Sequence, residues 1–298
     1  MNDISIVYST DKNFLLYTLG SIYSVLKNTE STIHFVIIID FDTVTAEAGM
    51  TKLQKYFSNF TYEIVPLDSE KLPDGGTLLS HISAMTFARL MTPSLLVEYE
   101  WVIYLDGDTY VKSDIEELYR FASARIQNND LMAVPTIGGD FKFSGINEPN
   151  KGERIFNAGV LVMNLERLRH KKFENTFFEV LNVLPDNNKN DQAVLNVALR
   201  GQWGELPIKW NVNHNYFLKS ARKLKIPKTE LKKITKEPGI VHFTSSKKPW
   251  TPDWFLTGNE FVKPYQDILK KLDSGFSVSP VSISMKLKLL LRKTKGRF

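Results

Sequence analysis

Residues 4–39, ISIVYSTDKNFLLYTLGSIYSVLKNTESTIHFVIII, contain the smallest unit from which the fold can be predicted. The two ends of this stretch, Ile4–Ser9 and Ile33–Ile39, are apolar and rich in β-branched residues, which is typical of buried strands. Between them, apolar residues recur at helical spacing, at Leu15, Leu19, Ile22 and Leu26. A strand, a helix and a second strand in this order favour a parallel sheet.

The same alternation continues along the chain. Helices are predicted over about 44–57 and from about Ser83. Further strands are predicted at Phe60–Val65, Trp101–Leu105, Leu131–Val134 and Ala158–Met163. We therefore predict an α/β fold in which a mostly parallel sheet is flanked by helices on both faces.

The composition is that of an ordinary folded chain. Of its 298 residues, 43% are hydrophobic and 24% are charged. There is no cysteine, so disulfides and thiolate zinc sites are excluded, and a reducing compartment is expected. No low-complexity linker divides the body, and we predict a single domain over residues 1–272 with a tail over 273–298.

The positive charge of the chain is concentrated in this tail. The net charge is +5, but six cations and no acid follow Ser274, which leaves −1 for the remainder. The near-neutral body argues against a nucleic-acid partner. Because the tail cations alternate with apolar residues, we predict a basic amphipathic segment that binds an anionic membrane surface. With no secretory signal or spanning segment visible, we expect a cytoplasmic protein, peripheral on the inner face of the cell membrane.

The strongest chemical signal is Asp106-Gly107-Asp108, which directly follows the apolar strand Trp101–Leu105. Open α/β sheets bind ligands at the carboxyl ends of their strands, and two carboxylates one residue apart can share a divalent cation. The same residues could instead form a simple turn. Phosphatases with an aspartyl nucleophile also place D-x-D after a strand, but their threonine comes two residues later, whereas Thr109 follows Asp108 immediately.

A second signal lies near the other end of the body. His242 follows the short apolar run Gly239-Ile-Val, and Lys248-Pro249-Trp250 comes six residues later. Taken alone, the histidine could be structural and the lysine could belong to a surface loop. Their combination with Asp106-Gly107-Asp108 favours a shared site.

Six separated segments occur in one order over about residues 3–255, at Ile6–Phe14, His81–Leu90, Asp106–Asp108, Phe156–Leu161, Asp191–Gln192 and His242–Trp250. In this order they resemble glycosyltransferase family 8, which includes bacterial lipooligosaccharide galactosyltransferases and glycogenin. The resemblance implies a GT-A fold with a Rossmann-like mixed sheet. It also implies an enzyme that moves a hexose, galactose or glucose, from a UDP-sugar to a saccharide acceptor with retention of configuration. The expected acceptor is a glycan or glycolipid of the cell envelope, such as lipopolysaccharide or capsule.

The resemblance also implies a role for each matched residue. Mn²⁺, with Mg²⁺ as the alternative, would be held by Asp106, Asp108 and His242. Residues expected to contact UDP are Ser9, Asp11, Asn13, Phe14, Gly107 and Lys248. Those expected to contact the donor sugar are Arg89, Asn157, Ala158 and Asp191. Catalytic positions are Gln192 and Asp191, and His81 would contact the acceptor or the diphosphate.

Structural roles remain open for several of these residues. Asp11 and Asn13 could form a turn before the first helix, Asp191 could cap a helix, and Arg89 could be a solvated or paired cation. Thr136 stands where relatives often carry aspartate, which leaves the contacts to sugar or acceptor open. Because an uncharged amide is a poor nucleophile, Gln192 favours front-side attack by the acceptor over a covalent intermediate.

Two other functions compete with transfer. A nucleotidyltransferase that makes a UDP-sugar also pairs aspartates on a Rossmann-like sheet, but it generally carries a Gly- and Arg-rich loop after the first strand. The corresponding segment here, Ser9–Phe14, has neither residue. A non-catalytic sugar-nucleotide or glycan-binding domain would not need a metal triad together with a diphosphate lysine.

Overall fold

A computed structural model describes residues 4–67, 84–136, 154–184 and 190–279, together with 283, 284 and 287. Its strands are β1 Ile4–Thr10, β2 Ile33–Ile39, β3 Phe60–Pro66, β4 Trp101–Leu105, β5 Thr109–Val111, β6 Leu131–Pro135, β7 Phe156–Asn164, β8 Gly204–Glu205, β9 Val212–Asn213 and β10 Ile240–His242. Its α-helices are α1 Leu15–Lys27, α2 Thr43–Gln54, α3 Ala84–Leu95, α4 Ile115–Ser123, α5 Leu165–His170, α6 Phe173–Val183, α7 Asp191–Ala198, α8 His214–Leu218, α9 Ala221–Leu224, α10 Lys228–Lys236 and α11 Val262–Leu272.

The main sheet has seven strands in the order β3-β2-β1-β4-β7-β6-β8. Strands β3, β2, β1 and β4 are parallel, whereas β7 runs antiparallel to both β4 and β6. Because β4 lies beside β1 although two strands separate them in sequence, the carboxyl ends of β1 and β4 meet at one edge of the sheet. The predicted α/β fold with a mostly parallel, mixed sheet is confirmed.

Both faces of the sheet are covered, which explains why its strands are apolar without alternation. Ile6 and Tyr8 of β1 pack in a core with α1, α2, α4 and α11. Val7, between them, packs on the opposite face with α3, α5, α6 and α7. A strand such as β2 is therefore buried on both sides, and nearly all residues of β2 are apolar.

A second sheet of three strands, in the order β5-β10-β9, lies at the carboxyl end of β4. β10 is antiparallel to β5 and parallel to β9, and this pairing sets His242 opposite Thr109. The small sheet was not predicted, since strands of two or three residues carry too few positions for a periodic pattern. It is the element that brings the end of the body back to the Asp106-Gly107-Asp108 turn.

The last helix, α11, ends at Leu272 and packs against α1, where the hydroxyl of Tyr265 donates to the carbonyl oxygen of Tyr17 at 2.7 Å. Its position agrees with a domain that extends to about residue 272, although the predicted boundary itself stays a prediction. Most of the predicted amphipathic tail, including the run from Met285, lies outside the described residues, and its described residues Ile283 and Leu287 are exposed. Within the described part of the chain, no helix has both the length and the apolar character needed to cross a bilayer.

Candidate active site

Asp106, Asp108 and His242 converge where β4 ends and the small sheet begins. The turn after β4 is closed by Thr109, whose backbone N–H donates to the carbonyl oxygen of Asp106 at 3.2 Å. The backbone N–H of Phe243 donates to the carbonyl oxygen of Asp108 at 3.0 Å and fixes the end of β10 against this turn. Backbone pairing thus places three side chains from distant parts of the sequence side by side.

The three side chains form a donor set suited to a divalent cation. Nε2 of His242 lies 3.1 Å from Oδ1 of Asp108 and 3.5 Å from Oδ2 of Asp106. One ligand atom from each residue lies within 4.8 Å of the others, and His242 and Asp108 are buried. Nδ1 of His242 lies 2.9 Å from Oδ1 of Asn211, and the other ring nitrogen, Nε2, faces the carboxylates. Three acceptors that face one another fit a shared cation such as Mn²⁺.

Gly159 on β7 provides the space for the imidazole of His242. A Cβ atom at this position would lie 1.9 Å from Cε1 of His242 and 2.6 Å from Nδ1, closer than any real contact. The carbonyl oxygen of Gly159 accepts the backbone N–H of Asp106 at 2.9 Å. The same residue thus supports the aspartate turn with its backbone and leaves room for the histidine by lacking a side chain.

Lys248 contacts the buried carboxylate of Asp108. Its Nζ donates to Oδ2 of Asp108 and also to the carbonyl oxygen of Phe243, the latter at 2.6 Å. Burial raises the pKa of Asp108, but the contact with the ammonium of Lys248 opposes burial, and this pKa lies well below its ordinary value. The carboxylate is therefore anionic and can bind a cation.

Arg89 connects the metal-binding end of the site with the predicted sugar-binding end. Its Nη2 donates to Oδ1 of Asp106, and its Nη1 donates to Oδ2 of Asp191 on α7. Its guanidinium lies 4.5 Å from the centre of the Tyr104 ring, whose hydroxyl contacts Oγ of Ser9. Arg89 is thus a buried, paired cation whose partners are both predicted site residues.

Gln192 is held against the first residues of β7. Its Oε1 accepts hydrogen bonds from Nδ2 of Asn157, at 2.8 Å, and from the backbone N–H of Ala158, at 3.2 Å. The register between α7 and β7 is fixed by Asn196, whose side chain pairs with both the N–H and the carbonyl oxygen of Phe156. The predicted sugar-binding residues Asn157 and Ala158 therefore lie in direct contact with the predicted catalytic amide.

Asp191 does not cap a helix, which was the structural alternative to its predicted role in the site. Asn190 caps α7 instead, since its Oδ1 accepts the backbone N–H of Ala193 at 2.9 Å. Both residues are good caps, but Arg89 engages Oδ2 of Asp191, and Oδ1 of Asp191 accepts the neighbouring N–H of Gln192. A tertiary ion pair thus decides which of two adjacent residues caps the helix.

The predicted nucleotide-binding residues lie around the start of α1. Oδ1 of Asp11 accepts the backbone N–H of Phe14 at 2.8 Å, so Asp11 does form a turn there, while Asn13 is exposed. Gly107 is tightly enclosed, because a Cβ atom on it would lie 2.3 Å from Oγ1 of Thr18 and 3.2 Å from Phe14. The turn of Asp106-Gly107-Asp108 therefore packs directly on this region.

An aromatic contact attaches the Lys248-Pro249-Trp250 segment to α1. The rings of Trp250 and Tyr17 are stacked with centroids 3.6 Å apart, and Phe14 contacts Trp250 edge-on at 5.4 Å. Nε2 of Gln266 on α11 donates to the carbonyl oxygen of Pro249 at 2.6 Å. The Lys248-Pro249-Trp250 segment is thus fixed between the first and last helices.

The sequence missed several residues that shape the site, namely Tyr17, Tyr104, Asn196 and Asn211. Tyr17 and Tyr104 belong to apolar patterns, in which a packing role and a site role look alike. A polar residue within an apolar run was the available signal for Asn211, which lies in Trp210-Asn-Val and is buried. The predicted contact His81 lies outside the described residues.

A cavity of about 760 Å³ opens at the carboxyl end of β6. Thr136, Arg154, Glu205, Ile208 and Ile226 are among the residues that line it. Oγ1 of Thr136 is buried and has no hydrogen-bond partner among the described residues. The 3₁₀ turn Ile208–Asn211 separates this cavity from His242.

The chain combines a mixed α/β sheet of the GT-A type with paired aspartates and a histidine at the carboxyl edge of that sheet. The sequence model described as Glycosyl transferase family 8 matches residues 5–253, and the chain belongs to this family. It is 26% identical over 255 residues to the lipopolysaccharide 1,2-glucosyltransferase of Escherichia coli, covering 83% of this chain and 72% of that protein.

Two further comparisons extend this result. The chain is 30% identical over 181 residues to General stress protein A of Bacillus subtilis, covering 57% of this chain and 60% of that protein. The structure of the galactosyltransferase LgtC, in complex with donor and acceptor sugar analogs, superposes with a TM-score of 0.67 at 20% identity, covering 96% of this chain and all of LgtC, which shows a shared fold. The chain matches less than two thirds of the length of the stress protein. For two other relatives, it matches 28% and 32% of their length.

Proposed function

We propose that this glycosyltransferase moves a hexose, galactose or glucose, from a UDP-sugar to a saccharide acceptor with retention of anomeric configuration. The observation that carries the proposal is the convergence of Asp106, Asp108 and His242 at the carboxyl edge of the sheet. Donor sugars with a diphosphate leaving group match a site that combines a cation-binding triad with a lysine. The resemblance of the surrounding segments to family 8 supports UDP as the nucleotide.

The residues of the triad fit Mn²⁺, or Mg²⁺ in its place, by their chemistry. Two carboxylates and one imidazole are donors that a borderline-hard divalent ion accepts. Such an ion, when bound, supplies positive charge where the departing diphosphate becomes more negative. Lys248 adds a second positive charge on the same side of the site, since its Nζ lies against Asp108.

The geometry on the sugar side supports front-side attack. Oε1 of Gln192 accepts two hydrogen bonds, and both oxygens of Asp191 are engaged, one by Arg89 and the other by the N–H of Gln192. An oxygen whose lone pairs are occupied is a weak nucleophile, so neither residue is prepared to form a covalent intermediate. We infer that the acceptor hydroxyl attacks on the face from which UDP leaves, and that its proton passes to a UDP oxygen.

The acceptor would approach through the cavity at the end of β6. This cavity is lined by Thr136, whose hydroxyl has no hydrogen-bond partner within the described ranges, and by the Arg154–Glu205 ion pair, and such polar groups suit a saccharide. The relatives that act on lipopolysaccharide support an envelope glycan or glycolipid as the acceptor class. A cytoplasmic enzyme attached to the inner membrane face by its basic tail would meet such an acceptor where it is assembled.

The test is a screen of UDP-galactose, UDP-glucose, UDP-N-acetylglucosamine and UDP-N-acetylgalactosamine for Mn²⁺-dependent release of UDP. We expect turnover with galactose or glucose donors and none in EDTA. Synthesis of a UDP-sugar coupled to pyrophosphate would identify a nucleotidyltransferase instead. Tight binding of a UDP-sugar without UDP release, with a range of saccharide acceptors present, would indicate a binding domain.

A further inference from the structure

We propose that Asn211 is a positioning residue that fixes the tautomer of His242 and the orientation of Gln192 through one connected set of side-chain amides. Asn211 lies at the end of the 3₁₀ turn Ile208–Asn211 and is only 1% exposed. The proposal rests on the metal site proposed above for its functional meaning, but the hydrogen-bond geometry behind it does not depend on that site.

The set begins at a backbone group whose role is fixed. The N–H of Gly159 can only donate, and it lies 3.1 Å from Oδ1 of Asn157. The atom of Asn157 at this position must therefore be its oxygen, because an amide NH₂ group there would face the N–H of Gly159 and neither group could accept a hydrogen bond. Nδ2 of Asn157 then faces Gln192.

The orientation of Asn157 determines that of Asn211. Nδ2 of Asn211 lies 2.9 Å from Oδ1 of Asn157 and donates to it. Oδ1 of Asn211 is thereby directed to Nδ1 of His242, at 2.9 Å. Since this oxygen can only accept, Nδ1 of His242 carries a proton, and in the neutral ring the lone pair is then on Nε2, which faces Asp106 and Asp108.

Asn211 matters because a competing acceptor lies on the other side of the imidazole. Oδ1 of Asp108 is 3.1 Å from Nε2 of His242 and would readily accept a proton there. A proton on Nε2 would remove the lone pair that binds a metal. Without Asn211, the carboxylate of Asp108 would favour this unproductive tautomer.

The second branch of the set reaches the predicted catalytic amide. The N–H of Ala158 lies 3.2 Å from Oε1 of Gln192, so this atom of Gln192 must also be its oxygen. Nδ2 of Asn157 donates to the same oxygen at 2.8 Å. Asn157, fixed by the N–H of Gly159 and supported by the second hydrogen bond from Nδ2 of Asn211, thus helps to direct Oε1 of Gln192 toward β7 and its NH₂ group away from it.

The proposal distinguishes two substitutions of Asn211. Asn211→Leu keeps a similar volume but removes both hydrogen bonds, so His242 loses its Nδ1 acceptor. Asn211→Asp keeps an oxygen for Nδ1 of His242 but cannot donate to Oδ1 of Asn157. The matched control is Asn164→Leu, since Asn164 on β7 is also buried and also makes two side-chain hydrogen bonds, with Ile126 and Arg167, away from the site.

Two measurements on the full chain test the proposal. Nitrogen-15 NMR of histidine-labelled protein, recorded at about pH 8 where free imidazole is neutral, reports which ring nitrogen of His242 is protonated, and the signal is assigned by its loss in His242→Gln. Calorimetric titration with Mn²⁺ alone reports metal affinity without catalysis.

We expect a proton on Nδ1 of His242 in the unsubstituted protein, in Asn211→Asp and in Asn164→Leu. Asn211→Leu should instead populate the tautomer protonated on Nε2 and bind Mn²⁺ about 10- to 100-fold more weakly. Asn211→Asp should bind Mn²⁺ nearly as the unsubstituted protein does, but turn over more slowly at saturating donor.

A neutral His242 protonated on Nε2 in the unsubstituted protein, or an Asn211→Leu protein that retains the Nδ1 tautomer, would overturn the proposal. If Asn211→Leu does not fold, a loss of the Nδ1 proton in Asn211→Asp overturns it as well. Failure of Mn²⁺ to bind the unsubstituted protein, with the tautomer as expected, would refute the metal site and leave the role of Asn211 intact.

Discussion

Nζ of Lys248 donates to the carboxylate of Asp108, so a predicted diphosphate-binding lysine and a predicted metal ligand contact each other directly. The two positive charges expected near Asp108, the lysine and a metal ion, therefore compete for one carboxylate. We therefore expect the binding of metal and the binding of UDP to depend on each other.

Lys248→Met should change the two affinities in opposite directions. Metal alone should bind about 5-fold more tightly, which corresponds to about 1 kcal/mol for one removed charge near a solvated pair. UDP should bind more weakly, because the diphosphate loses a cationic partner. Calorimetric titrations with Mn²⁺ and with UDP measure both, with Lys247→Met as the control. Weaker binding of Mn²⁺ to Lys248→Met would contradict the competition.

Substitution of either aspartate should stop transfer. Asp106→Asn or Asp108→Asn removes a donor from the proposed cation site, and we expect release of UDP to fall by about 100-fold or more. Removal of metal by EDTA should have the same effect, and added Mn²⁺ should restore activity to the unsubstituted protein only. Asp114→Asn, which changes the cap of α4 beside Thr29, after the C-terminal end of α1, is the control. Undiminished turnover of Asp108→Asn in EDTA would refute the metal assignment.

Arg89→Met should destabilise the fold as well as the site. It leaves Asp106 and Asp191 without the buried cation that neutralises them, and loss of one partner from a buried ion pair costs about 3–5 kcal/mol. Urea denaturation without metal measures this loss. The exposed Arg120→Met should change the free energy of unfolding by less than about 1 kcal/mol. Equal stabilities of the two variants would show that Arg89 is not a structural cation.

Gln192→Ala should separate chemistry from nucleotide binding. Gln192 contacts Asn157 and Ala158, not the residues placed near the nucleotide, so UDP should bind almost normally while turnover at saturating donor falls. Steady-state kinetics together with UDP titration measure the two effects. A large loss of UDP affinity at unchanged maximal rate would place Gln192 at the wrong end of the donor.

Deletion of the chain after Gly275 should affect location and not chemistry. Six cations and their apolar neighbours are removed, and near an anionic surface each cation contributes about 1 kcal/mol. We expect hydrolysis of the donor to persist, while sedimentation with vesicles that contain phosphatidylglycerol is lost. Raised salt should weaken the binding of the full chain. Equal sedimentation of the two proteins would refute the membrane anchor.

The sequence predicted those parts of the molecule that follow from local patterns. β1, α1 and β2 have strong periodicity, and Asp106-Gly107-Asp108 has a strand before it, so both could be located in advance. The pairing of β5 with β10 could not, since three-residue strands leave no pattern and their partners are far apart in sequence. The choice of Asn190 over Asp191 as the cap of α7 likewise depends on Arg89, a residue about 100 positions away.

The space that Gly159 leaves for His242 limits which residues related sequences can carry at these two positions. The imidazole of His242 occupies the volume where a side chain at position 159 would lie, so the two positions cannot vary independently. A homologue with alanine or a larger residue at this point of β7 must have displaced or lost the histidine. Such a pair of changes would identify, from sequence alone, a related protein that has lost the third side chain of the proposed metal site. Substituting the glycine in this chain, with both aspartates and the histidine retained, would reproduce the first step of that loss.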